Sequence, residues 1–408
     1  MNQNAFPQND TERKPTPWYL QSDIKPPKDY NPYEDVQSLP KASTPQNVIR
    51  FPWETPDIYE FRRKQQELDG KRRAQGKLKG IINEAFFPIM LILLLMNAFS
   101  SAVLMIYGFI PDGIYQTLYN VHLVLSYALL FPVAFFVYSV GKNCKTYTFF
   151  KKPQASKFYV LRWSVIIFGV THATATLFYY IFSLLERLGL HINEIPTVAH
   201  DTPFETVMYF ITVVICAPIF EELVFRGFLL TRLRRFGSWF AIITSGIMFG
   251  LFHQNHEQLF FATAFGILCA FVALRTRSII PGIIAHVMLN GYSFVLELLT
   301  SFAKITGETV FDPNFNINAP LPLAAAISIL DILSYVLIIV GLVMLVTEIV
   351  SNRKQFDLDK EKGDLTKADK FKLIISSPIS IILILILISN VILVSFVDLE
   401  YLMTMIGY

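Results

Sequence analysis

A chain of 408 residues that is 53% hydrophobic and 16% charged, with mean hydropathy +0.44, is not a soluble globular domain, where about a quarter of residues carry charge. Its net charge of +3 is too small to suggest a nucleic-acid partner, and none is expected. Cys144, Cys216 and Cys269 lie too far apart for a disulfide framework or a CxxC metal or redox pair.

Residues 1–60, rich in Pro, Asn, Asp and Lys, read as a disordered or extended tail. The charged stretch that follows, "FRRKQQELDGKRRAQGKLKG", reads as a juxtamembrane helix lying on anionic lipid or as a stop-transfer cluster. Residues 1–80 are therefore expected to be a Pro-rich, then basic, largely disordered tail. No apolar h-region precedes the first span, so no signal peptide is expected. Apolar segments then fall at 84–107, 116–140, 160–186, 204–231, 238–254, 257–274, 279–299, 321–350 and 371–397, the fifth and sixth being short. Runs of this length span a bilayer. The expected fold is all-α, a polytopic membrane helix bundle of about nine spans. Accessory helices would occupy 81–200, a catalytic core 201–300 and C-terminal helices 301–408.

Charge alternates along these spans. Lys and Arg crowd 141–162, 232–235, 275–277 and 353–372, whereas the alternate loops hold Asp112, Glu194, Asp201, Glu205, Glu308 and Asp312. The positive-inside rule then puts the N-terminal tail in the cytoplasm and the end "DLEYLMTMIGY" outside, in a multi-pass protein of the cell membrane with the lipid bilayer as a partner. The sequence has no convincing internal repeat to support an inverted-repeat transporter.

Three apolar regions each carry a polar pair. In "PIFEELVFRGFLL", Glu222 and Arg226 are i,i+4 and share a helix face, while Glu221 points about 100° away. Pairing Glu222 with Arg226 leaves Glu221 free to face a polar cavity, where a glutamate in low dielectric can serve as a general base. The plain alternative is a salt bridge that locks two helices. In "FGLFHQNHEQ", Phe249 and His253 are i,i+4, and His256 falls in what reads as the polar turn between two helices. In "SIIPGIIAHVMLNGY", His286 and Asn290 are i,i+4 on one apolar face and need partners that lipid does not supply. A carboxylate, two imidazoles, a carboxamide and an arginine suffice for hydrolysis, although a permeation pathway could use the same groups. His122, His172, Glu297 and Asp331 are read as hydrogen-bonding or interfacial groups.

The order EExxxR (Glu221, Glu222, Arg226), FxxxH (Phe249, His253) and HxxxN (His286, Asn290) resembles the CAAX-processing and bacteriocin-processing (CPBP, or Abi) intramembrane endopeptidases, which include the Ras-converting CAAX endopeptidase. The resemblance covers roughly residues 200–295. It implies that Glu221 and His253 activate the attacking water, that His286 and Asn290 stabilise the oxyanion, and that Glu222, Arg226 and Phe249 support them. It implies a peptide or protein substrate at the membrane. The family is commonly labelled metalloprotease, yet HExxH is absent. Glu221, His253 and His286 could form a three-ligand zinc site, and a metal-free glutamate mechanism is the favoured alternative. Scaffold or immunity partner and small-solute transporter are the competing functions. Helical rise places Glu221 roughly 15 Å deep, His286 roughly 10 Å, and His253 roughly 24 Å if its helix starts at Phe236. These depths meet only if the 238–274 hairpin is sunken or tilted.

Overall fold

A computed structural model describes residues 56–106, 109, 112–141, 150–190, 192–193, 202–303, 305–306, 316–317, 320–358 and 365–396. The tail up to residue 55, Cys144, the loop residues Glu194, Asp201, Glu308 and Asp312, and the end "DLEYLMTMIGY" lie outside them. The fold is an all-α membrane bundle. Among the described residues, seven helices are long and apolar enough to cross a membrane, and two shorter apolar helices, Val121–Phe136 and Ser238–Phe252, bring the number of apolar segments to the nine expected. The expected sixth segment is full length, not short (His256–Thr276, 21 residues).

The first helix takes in the basic stretch. Helix α1 runs unbroken from Pro56 to Leu104, so residues 56–80 are helical and continuous with the first span. Within that stretch Ala74 and Leu78 are buried, and Lys71 reaches Asp369 at 2.9 Å. Asp369 sits on a short helix near the end of the described chain, and its salt bridge with Lys71, together with the Thr366 cap, holds its carboxyl down at about 2.

Helices α2 (Asp112–Leu125) and α3 (Phe131–Gly141) are joined by a π-helical turn, Ser126–Leu130. Helix α4 spans Lys157–Arg187, capped by Ser156. The fourth span is a composite. Helix α5 (Pro203–Phe210), a π segment at Ile211–Cys216, α6 (Ala217–Glu222), a second π segment at Leu223–Leu229 and α7 (Leu230–Leu233) follow one another without a break. Helices α8 (Ser238–Phe252) and α9 (His256–Thr276) form a hairpin. Their axes come close because Gly246 and Gly266 face each other: a Cβ on Gly266 would lie 2.9 Å from the Gly246 Cα, and glycine alone permits that approach. Helix α10 covers Ile280–Ala303, and the two-residue strands β1 (Ile305–Thr306) and β2 (Asn316–Ile317) pair antiparallel.

Helix α11 (Leu321–Ser351) presents Ile329, Ile332, Val336, Ile339, Val343 and Val346 outward. Such a face is stable against lipid, where apolar side chains need no burial. Helices α12 (Lys367–Ile374) and α13 (Pro378–Phe396) close the described chain. The core draws on nearly the whole bundle: Phe86 of α1, Phe131 of α3, Trp163 of α4, Phe225 of the second π segment, Phe249 of α8, Phe265 of α9 and Leu383 of α13 belong to one buried cluster.

Candidate active site

The composite span carries the acidic pair, and its irregularity has a local cause. In the first π segment the amide of Ala217 bonds to the carbonyl of Thr212, five residues back. In that register the next donor would be residue 218, aimed at Val213. Residue 218 is proline and has no N–H. The carbonyl of Val213 is satisfied from α10 instead, where Asn290 Nδ2 donates to it at 2.8 Å. In the second π segment Ser245 Oγ of α8 donates to the carbonyl of Phe225 at 3.0 Å. Buried backbone acceptors need such partners, and π turns recur at functional sites. Between these two anchored segments sit Glu221 and Glu222, 3% and 0% exposed.

Glu222 pairs with Arg226 as the spacing predicts, Oε1 to Nη1 at 2.8 Å, with both side chains wholly buried. The guanidinium lies over the Phe249 ring at 4.1 Å from its centroid and over the Phe265 ring at 5.6 Å, a cation–π arrangement that desolvation strengthens. Phe249 also packs edge-on against His253 (4.9 Å) and His286 (5.8 Å). One phenyl ring therefore touches the arginine and both imidazoles.

His286 lies between the two glutamates. Its Nε2 is 3.9 Å from Glu221 Oε2 and its Nδ1 is 3.6 Å from Glu222 Oε1. The expected division, Glu222 for Arg226 alone and Glu221 spare, is thus modified: one imidazole faces both carboxylates. Glu221 Oε2 is buried without a hydrogen-bond partner. His253 caps α8 with its Nδ1 at 2.9 Å from the carbonyl of Phe249. A carbonyl only accepts, so Nδ1 carries the proton and the neutral ring keeps its lone pair on Nε2.

Two further residues were not evident in the sequence. Tyr127, on the π turn between α2 and α3, brings its hydroxyl to the Glu221 carboxylate. Gly282 lets α10 reach the acidic pair, since a Cβ there would fall 2.5 Å from Glu222 Oε2. A lone tyrosine in an apolar run carries no periodic signal, and a glycine beside Pro281 reads as punctuation. His256 departs from its expected place in a turn: it is the first residue of α9, 5% exposed, packed against Phe182 and Phe396. His122 bonds Ser100 (2.8 Å), His172 the carbonyl of Phe168 (3.1 Å) and Glu297 the hydroxyl of Tyr209 (3.1 Å), and none contacts Glu221 in these interactions. Asp331 takes the hydroxyl of Ser334 on its backbone carbonyl. Among the described residues, no group of three His, Cys, Asp or Glu side chains is placed to hold a metal ion, Glu221, His253 and His286 included.

Residues 203–292 match the family model described as "Type II CAAX prenyl endopeptidase Rce1-like". The curated relative "Putative membrane peptidase YdiL" of Bacillus subtilis (strain 168) is 34% identical over 85 residues, 21% of this chain and 35% of the relative. The match thus spans about a third of that relative's length. No solved structure matches the chain. The segment similar to that family model runs from α5 to Tyr292 in α10 and holds the acidic pair, both imidazoles and Asn290.

Proposed function

We propose that this protein is an intramembrane endopeptidase of the CAAX-processing type, hydrolysing a peptide bond of a membrane-associated peptide or protein. The observation that carries the reading is Glu221 Oε2, a buried carboxylate oxygen without a hydrogen-bond partner, turned toward Nε2 of His286. A carboxylate so placed is a base for water that enters with the substrate.

The chemistry assigns each group a task. Water donates one hydrogen bond to Glu221 and another to the free Nε2 of His253, and its oxygen attacks the scissile carbonyl carbon while Glu221 takes the proton. The oxyanion that forms is met by an N–H of His286 and by the Asn290 amide hydrogen that Val213 does not use. The C–N bond then breaks, and the leaving nitrogen takes the proton from Glu221. Arg226, clamped on Phe249, holds Glu222 in place, and Glu222 orients His286. No step requires a metal ion; zinc on Glu221, His253 and His286 is the alternative mechanism. The basic helix ends favour a cytoplasmic N-terminus in the cell membrane.

The family description names the first substrate to try, a prenylated peptide ending in a CAAX sequence. With the purified chain in lipid nanodiscs, Glu221→Gln is expected to lower kcat by about a thousandfold, and His253→Ala and His286→Ala to abolish measurable cleavage. Full cleavage by all three variants would sink the reading and favour a non-proteolytic scaffold. Loss of cleavage with 1,10-phenanthroline and recovery with Zn²⁺ would replace the metal-free route.

A further inference from the structure

The turn that carries His253 contains a residue in an unfavourable conformation. Gln254 has φ +59°, a left-handed geometry that costs free energy for a side chain of this kind and persists only where its surroundings hold it. The turn is short. The amides of His253 and Gln254 end α8 on the carbonyls of Gly250 and Leu251, and Asn255 opens α9 by accepting the amide of Gln258 at 2.9 Å. Asn255 Nδ2 also donates to the carbonyl of His253 at 2.9 Å.

Two further hydrogen bonds come from the far end of the chain. Asn390 of α13 donates its side-chain amide to Gln254 Oε1. Further along the same helix, Ser395 Oγ, fully buried, accepts the amide of His256 at 3.1 Å. Asn390 stands in the run "PISIILILILISNVILVSF", where a carboxamide is costly unless it finds a partner. That partner is the strained residue next to His253. Helix α13 lies outside residues 203–292, so the family match does not account for this contact.

We propose that α13 clamps the His253 turn: Asn390 holds Gln254 in its left-handed conformation, which fixes where α8 stops and where the His253 imidazole points. Asn390 and Gln254 are positioning residues and touch no reacting atom. The catalytic consequence rests on the endopeptidase reading; the structural one does not.

The full chain in nanodiscs tests both. Asn390→Leu keeps the size and suits an apolar span, so the helix is retained while the tether is cut. Amide hydrogen exchange over residues 253–258 is expected to accelerate about fivefold or more, with α11 unchanged. On the prenylated CAAX peptide, kcat is expected to fall about tenfold with KM unchanged, as a misplaced group predicts. Gln254→Met cuts the same tether from the other side and reproduces both changes. Gln254→Gly added to Asn390→Leu restores kcat to within about threefold of wild type, because glycine adopts positive φ without a tether; lost packing of α13 would not be rescued in this way. Wild-type exchange at 253–258 in Asn390→Leu, or a kcat loss that glycine does not restore, overturns the clamp. Wild-type cleavage by Glu221→Gln overturns the endopeptidase reading instead, and the exchange comparison still judges the clamp.

Discussion

Glu222 and Arg226 are both fully buried and 2.8 Å apart, and what that pair does for the protein depends on what replaces it. Removing one partner strands the other charge in low dielectric, which costs about 3–5 kcal/mol. Replacing both with apolar residues of similar volume is often close to neutral for the fold. Glu222→Ala is therefore expected to lower the unfolding midpoint sharply, and Glu222→Leu with Arg226→Met to recover most of it. Cleavage should not return in the double variant, since His286 loses the carboxylate 3.6 Å from its Nδ1. Thermal unfolding and turnover measured on the same samples separate the two roles; a double variant that cleaves normally would mean that Glu222 does no more than pair with Arg226. This pairing was legible in the sequence because four residues come close to one turn in an α-helix and in a π-helix alike, so the spacing survives the irregular backbone. The contact of Tyr127 with Glu221 was not legible. It joins elements nearly a hundred positions apart, and nothing in "HLVLSYALLF" marks one side chain as turned toward the site.

The elements around the site owe their shape to single residues with specific backbone demands. The apolar spans were readable from length and composition, but the π segments were not, because Pro218 announces a missing donor without saying what fills the vacated carbonyl. Asn290 fills it, so part of a motif expected to serve chemistry serves the backbone of the helix that carries Glu221. The start of α10 makes a similar demand. An added methyl at Gly282 meets the far end of the Glu222 side chain at 2.5 Å, and that carboxylate cannot swing away without leaving Arg226. Gly282→Ala is expected to destabilise the protein by about 1–3 kcal/mol as overpacking and to cut kcat more than a stability loss of that size explains. Circular-dichroism melting together with kinetics checks this. Wild-type turnover in Gly282→Ala would show that α10 can retreat without disturbing the acidic pair. The basic stretch was legible as a helix but not as part of the core: charge density in "FRRKQQELDGKRRAQGKLKG" signals a surface, whereas Ala74 and Leu78 within it begin a buried stripe that Ile82 and Ala85 continue along the same helix.

Across the whole molecule, the site is a product of more chain than its motifs occupy. The site motifs and the family match, residues 203–292, lie inside the stretch 201–300. Yet the buried cluster around the site recruits α1, α3, α4 and α13. Arg232 reaches Glu84 of α1 at 3.3 Å, and Asn83 of α1 accepts the amide of Ile379 at 3.3 Å. Helix α13 thus meets α1 near one end and the His253 turn toward the other. Sequence periodicity reports the face each helix buries, not which distant helix covers it, so this sharing could not be read from spacing. It has a consequence for dissection. Residues 202–303 expressed alone would expose to lipid the faces that Phe86, Phe131, Trp163 and Leu383 cover, and would leave Gln254 without Asn390. That fragment is expected to be inserted but loosely packed, eluting as a broad peak in detergent and inactive on the prenylated peptide. Co-expression with residues 1–201 and 304–408 as separate chains should restore a sharp peak and cleavage, because membrane helices can insert independently and then associate through packing. A fragment of 202–303 that alone elutes sharply and cleaves would show that the matched segment is self-sufficient and that the surrounding helices only house it.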